Sequence, residues 1–141
     1  MNRRSLLAFL GLGAAAAPAL AAQKTSAAKH SVILQVTDRD TNRWQLALAN
    51  ARNVQTDLGA DNVQVEIVAY GPGLDMLRSE STVAVGLAGA LDASVRLIAC
   101  ENTMQNNKLT RDDMYSGVAY VQAGVTHIMK RQREGWAYIR P

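Results

Sequence analysis

At 141 residues, with 48% hydrophobic and 19% charged side chains, the chain has material for one core and too little for two. Its formal charge of +3 includes Arg3 and Arg4, which lie in a segment that reads as an export signal; without them 13 basic residues face 12 acidic ones, a net +1. That balance excludes a broad cationic field for nucleic acid, and a single cysteine excludes an internal disulfide.

The order begins with a basic Met1–Arg4 and an uncharged Ala/Gly/Leu stretch from Ser5 to Leu20. Ala19-x-Ala21 fits the small-residue rule for signal peptidase, so residues 1–22 are expected to be a cleavable export signal. Asn2-Arg3-Arg4-Ser5-Leu6-Leu7 resembles the twin-arginine export pattern. The segment is too poor in strongly apolar residues for a retained spanning helix, which needs about 20 of them. No stable membrane insertion is therefore expected after cleavage, and the mature protein is expected in the periplasm or otherwise exported from a bacterium. Residues 23–30 read as a flexible tether and 31–141 as a single domain.

Within that domain Val32–Val36 is a near-continuous apolar run, the mark of a strand covered on both faces. Thr37-Asp38-Arg39-Asp40 offers a helix cap, and Trp44, Ala47, Leu48, Ala51, Val54 and Leu58 make one apolar stripe before Gly59. Val63–Tyr70 predicts a second strand, nearer the sheet edge at its alternating start, followed by a tight Gly71-Pro72-Gly73 turn and a short helix over 74–77. A helix from Ser81 or Thr82 to about Leu91 is apolar on more than one side, so its own domain or a second copy should cover it. Val95–Cys100 is the third strand, with Asn102 or Thr103 capping a short helix after it. Thr110–Asp113 gives a turn of helix, Val118–Val121 a fourth strand, and Val125, Ile128, Met129 and Gln132 one face of a helix closed by Gly135. Trp136–Ile139 is the last strand. Such alternation predicts one α/β domain, with a mostly parallel sheet of about five strands and helices on both faces.

Metal chemistry has no support, because His30 and His127 lack ligand-bearing neighbours and His127 falls opposite the apolar face of its helix. No nucleophile elbow or phosphate-binding loop is present, and the paired aspartates sit where helix starts favour acids. Cys100 remains. Free cysteine packs well in cores, but this one ends a strand just before a helix, where the positive helix end favours a thiolate. Arg39 is the candidate cation beside it, and Gly71 and Gly73 are candidates to leave room and free N–H groups for an anionic adduct. Glu101 would oppose thiolate formation unless it points away.

Cys100-Glu101-Asn102-Thr103-Met104, Val121-Gln122-Ala123-Gly124-Val125 and Gln132-Arg133-Glu134-Gly135-Trp136-Ala137-Tyr138-Ile139-Arg140-Pro141 together resemble the DsrE/DsrF-like sulfur-metabolism family. The likeness spans about Ser31 to Pro141. It implies a three-layer α/β/α fold, a homo-oligomer (trimer or hexamer), and sulfur carried as a persulfide on Cys100 without metal or organic cofactor. A sulfur donor or acceptor protein would be the partner, and Arg39, Gly71, Gly73, Asn102 and Thr103 would line the substrate site. The alternative expectation is a non-enzymatic binding or assembly module in which Cys100 is packing and the Val83–Leu91 helix makes subunit contacts.

Overall fold

Three largely apolar runs, at 32–36, 65–69 and 97–100, dictate the centre of the sheet, because a strand covered on both faces carries no polar face to turn to water. The computed structural model describes residues 28–141, so the expected export signal and most of the tether lie outside the described residues. The strands are β1 (His30–Val36), β2 (Val63–Ala69), β3 (Arg96–Cys100), β4 (Ala119–Val121) and β5 (Ala137–Ile139), and the helices are α1 (Thr41–Leu58), α2 (Ala84–Asp92), α3 (Glu101–Asn106) and α4 (Gly124–Arg133). All pairings are parallel, and the order across the sheet is β4-β3-β2-β1-β5.

That order follows from the right-handed rule for parallel crossovers. From β1 through β4 the chain steps steadily in one direction. The helices of those steps pack on one face, where Trp44, Leu48, Leu87 and Met104 join Leu34, Ile67 and Leu97 in the larger core. To bring β5 back beside β1 with the same hand, the chain must cross on the other face. There α4 lies over Ile33, Val68 and Ile98 through Ile128. The loops after β3 and β4 thus leave the sheet in opposite directions, which opens a crevice at their carboxyl ends. In open α/β sheets this is where ligands bind.

The α1 stripe is as expected: Trp44, Ala47, Leu48 and Ala51 are buried, Asp40 caps the helix by accepting from the Asn42 N–H at 2.9 Å, and Gly59 ends it at φ +87°. Other expectations need correcting. β2 is the middle strand rather than an edge, and its polar interruption, Glu66, is buried. Cys100 itself, not Asn102 or Thr103, holds the N-cap position of α3. Within the single chain α2 is covered on one side, where Leu87 and Ala90 are buried, whereas Val85 is 89% exposed, the side that the expectation leaves to a second copy. Gly86 allows its contact with α1, since a Cβ there would fall 2.7 Å from Leu48 Cδ1, while Gly89 faces open space. Among the described residues no helix is long and apolar enough to cross a membrane.

Candidate functional site

Cys100 ends β3 on the face shared with Ile98 and α4, in the crevice between α3 and α4. It is 5% exposed. Sγ lies 3.8 Å from the Gln122 carbonyl, which also accepts from the Asn102 N–H at 3.0 Å. The β4–α4 connection is thereby held against the start of α3. Burial pushes the thiol pKa up. The Thr103 hydroxyl and the backbone N–H groups of Gly124, Thr103 and Asn102 outweigh it, so Cys100 sits below its ordinary 9.0.

Thr103 Oγ1 also accepts from the Gly71 N–H at 3.0 Å, tying the turn after β2 to this thiol. Glu101 does not oppose the thiolate. Its carboxylate turns to Arg111 at 3.5 Å, and that guanidinium stacks on the Tyr120 ring at 4.2 Å.

The sequence-derived candidates divide. Asn102 and Thr103 come together with Cys100, as first-turn residues of α3 rather than as caps. Gly71 joins them through its amide, but neither glycine leaves a free N–H. Gly71 donates to Thr103, and Gly73 donates to the Tyr70 carbonyl at 3.2 Å. The lack of a Cβ at Gly73 serves packing, because that carbon would fall 2.3 Å from the Val36 carbonyl oxygen. Arg39 is not brought to the thiol; its Nε pairs with Asp75 at 2.7 Å.

Sequence reasoning missed two groups. One is Gly124, on which the Tyr70 ring packs: a Cβ there would fall 3.0 Å from Tyr70 Cδ1 and 3.2 Å from Val68 Cγ1. Burial first, then neighbouring Tyr138, raises the Tyr70 pKa above its ordinary 10.0, so this phenol is neutral. The other is a cluster around Glu66, which is 1% exposed. Its Oε1 accepts from Arg96 Nη1 at 2.6 Å and Arg131 Nη2 at 2.7 Å; its Oε2 meets His127 Nε2 at 2.7 Å and Arg131 Nε at 3.1 Å.

The inward face of α4 is therefore Gly124–His127–Ile128–Arg131, and His127 is not the exposed residue expected. Val125 and Met129, expected to face inward, are exposed. The buried carboxylate explains the rotation: leaving it unpaired in the sheet would cost more than exposing two apolar side chains. A signal for this existed in the sequence, since His127 and Arg131 have i, i+4 spacing and Glu66 interrupts an apolar strand. No group of three or more His, Cys, Asp or Glu among the described residues forms a metal-binding cluster.

No family model matches the sequence, and no curated protein matches it. Among solved structures, the protein of unknown function MTH1491 from Methanobacterium thermoautotrophicum is 38% identical, with a TM-score of 0.76 over 79% of this chain and 99% of that one. The conserved protein of unknown function BT1422 from Bacteroides thetaiotaomicron is 11% identical, with a TM-score of 0.60 over 79% of this chain and 94% of that one. The second likeness concerns the fold alone.

Proposed function

This chain belongs to the family of the Methanobacterium protein MTH1491, and we propose that its Cys100 accepts sulfur as a persulfide and passes it on. The observation that carries this reading is a thiol in the β3–β4 crevice, held below its ordinary pKa by the Thr103 hydroxyl and the Gly124, Thr103 and Asn102 amides despite burial. The resemblance of Cys100–Met104 and Gln132–Pro141 to DsrE/DsrF-like proteins supports the same assignment.

In the reaction, the Cys100 thiolate attacks the terminal sulfur of a persulfide or polysulfide donor. A new S–S bond forms to Sγ, the donor's S–S bond breaks, and its electron pair leaves on the donor thiolate. Discharge is the same step in reverse: an acceptor thiolate takes the outer sulfur and Cys100 leaves as thiolate. No net oxidant is required. The donor N–H groups that lower the thiol pKa also improve Cys100 as the leaving group. In this reading the protein is exported, works as a homo-oligomer, and exchanges sulfur with a donor or acceptor protein.

Mass spectrometry of the protein after incubation with inorganic polysulfide is the test. The expected product is Cys100 carrying an added sulfur that dithiothreitol removes and Cys100→Ser lacks. No adduct, or the same adduct on the serine variant, overturns the relay.

Two observations favour a second reading, an oligomeric assembly module with a structural thiol: Cys100 is nearly inaccessible in the single chain, and Val85 is bare on α2. Labelling distinguishes them. A native thiol that resists iodoacetamide until denatured supports the module.

A further inference from the structure

Glu66 is the single buried charged residue among the described ones, and it lies in the middle strand under α4. A buried ion cluster is a poor route to stability, because desolvating the charges offsets most of their attraction. What it provides is geometry. The carboxylate oxygens are engaged by β3 through Arg96 and by α4 through His127 and both Nε and Nη2 of Arg131. Arg131 is held in turn by Glu134 at 2.7 Å and by the Trp136 ring at 4.4 Å. The ionised carboxylate can only accept, so His127 Nε2 carries its hydrogen.

Apart from this cluster, α4 grips the sheet through little: Ile128 alone is a large buried apolar side chain on the helix, set on Ile33, Val68 and Ile98. An aliphatic slot tolerates sliding. A carboxylate filled from two directions does not, because a one-residue slip moves the helix about 1.5 Å and turns it by roughly 100°, carrying His127 and Arg131 off their acceptor. Gly124 lies one turn before His127 on the same face, pinched against Tyr70 and Val68. Wherever His127 and Arg131 are fixed, the Gly124 amide is fixed too.

We propose that Glu66 is a positioning residue for Cys100: through His127 and Arg131 it holds α4 in one setting, and with it the Gln122–Gly124 segment that leads into the helix, whose Gln122 carbonyl lies 3.8 Å from Sγ. The inference rests on the reading of Cys100 as a working thiol, and it assigns that thiol a control point on a different strand. Glu66 touches no reacting atom.

The test is the pH dependence of Cys100 alkylation by iodoacetamide in the wild type, Glu66→Gln and Arg131→Lys, with circular dichroism to confirm folding. Glu66→Gln should raise the midpoint by about half a pKa unit or more, and Arg131→Lys should move it less in the same direction. Folded variants with the wild-type midpoint overturn the proposal, whatever stability they have lost, and so does a native thiol that iodoacetamide does not label. Should Glu66→Gln fail to fold, Arg131→Lys decides alone. Polysulfide loading, measured in parallel by mass, keeps the two proposals apart. A low, Glu66-dependent midpoint without any adduct removes sulfur transfer and supports positioning; an adduct with a Glu66-independent midpoint does the reverse.

Discussion

The Gly71 amide donates to Thr103 Oγ1 at 3.0 Å, so a turn after the middle strand orients the hydroxyl that serves the Cys100 thiol. With its acceptor side occupied, the hydroxyl keeps its hydrogen for Sγ. Thr103→Val has nearly the same shape and loses both bonds. It should leave the Gly71 N–H orphaned, costing about 1–3 kcal/mol, and raise the Cys100 alkylation midpoint. Thr103→Ser should recover both, as read by urea denaturation and by the alkylation profile. A valine variant that keeps the wild-type midpoint would remove Thr103 from the site.

Gly71 and Gly73 are separated by one proline and answer to different constraints. A Cβ at Gly73 would lie 2.3 Å from the Val36 oxygen, 2.6 Å from its carbonyl carbon and 2.7 Å from Thr37 Cα, all backbone atoms with little room to move. Gly71 has φ +55° with nothing within 4 Å of a Cβ, so alanine meets only left-handed strain. Gly71→Ala should cost about 1–2 kcal/mol and Gly73→Ala about 3 kcal/mol or more. Equal losses in denaturant titrations would contradict this division.

Acid should act on Glu66. Burial pushes its carboxyl up, but Arg131 and His127 overcome that and hold it below the ordinary 4.5. The unfolded chain takes up this proton first as pH falls, so the group's contribution is fully present above about pH 4.5 and is lost as pH drops toward the folded-state value. Glu66→Gln lacks that contribution and leaves two arginines without their carboxylate, a loss of about 3–5 kcal/mol at neutral pH. The gap in unfolding free energy between wild type and Glu66→Gln should therefore narrow between about pH 7 and about pH 3.5. A constant gap would mean that Glu66 titrates normally in the folded protein.

The fold was legible wherever apolar period and turn chemistry agreed. Thr41–Leu58, with its stripe, its Asp40 cap and its Gly59 stop, is the helix that the spacing predicts. Five strands emerged for the same reason. α4 was not legible in the same way, because its apolar spacing names Val125 and Met129 while the sheet beneath it presents a carboxylate. Only the pairing of Glu66 with residues some sixty positions away decides which face turns in. The site shows a similar split. Cys100 at a strand end is a local fact, whereas Gly124 comes beside it only because β4 pairs with β3 and the chain then turns onto the face that Cys100 shares with α4. Composition could name the thiol but not its donors.

Arg39 is the sharpest check on that split, because the sequence offers it as the cation beside the thiol. It follows β1, two strands from β3, and neighbouring strands stand about 4.8 Å apart, so its backbone begins roughly 10 Å from the Cys100 strand. Its side chain is two-thirds exposed and spent on Asp75. Salt screens an exposed charge over about 8 Å at physiological ionic strength, and this one is already paired, which leaves little to act on Sγ. Arg39→Ala should thus change stability by less than about 1 kcal/mol and leave the Cys100 alkylation midpoint where it is. A rise comparable to that of Thr103→Val would return Arg39 to the site, and would mean that its pair with Asp75 opens in solution.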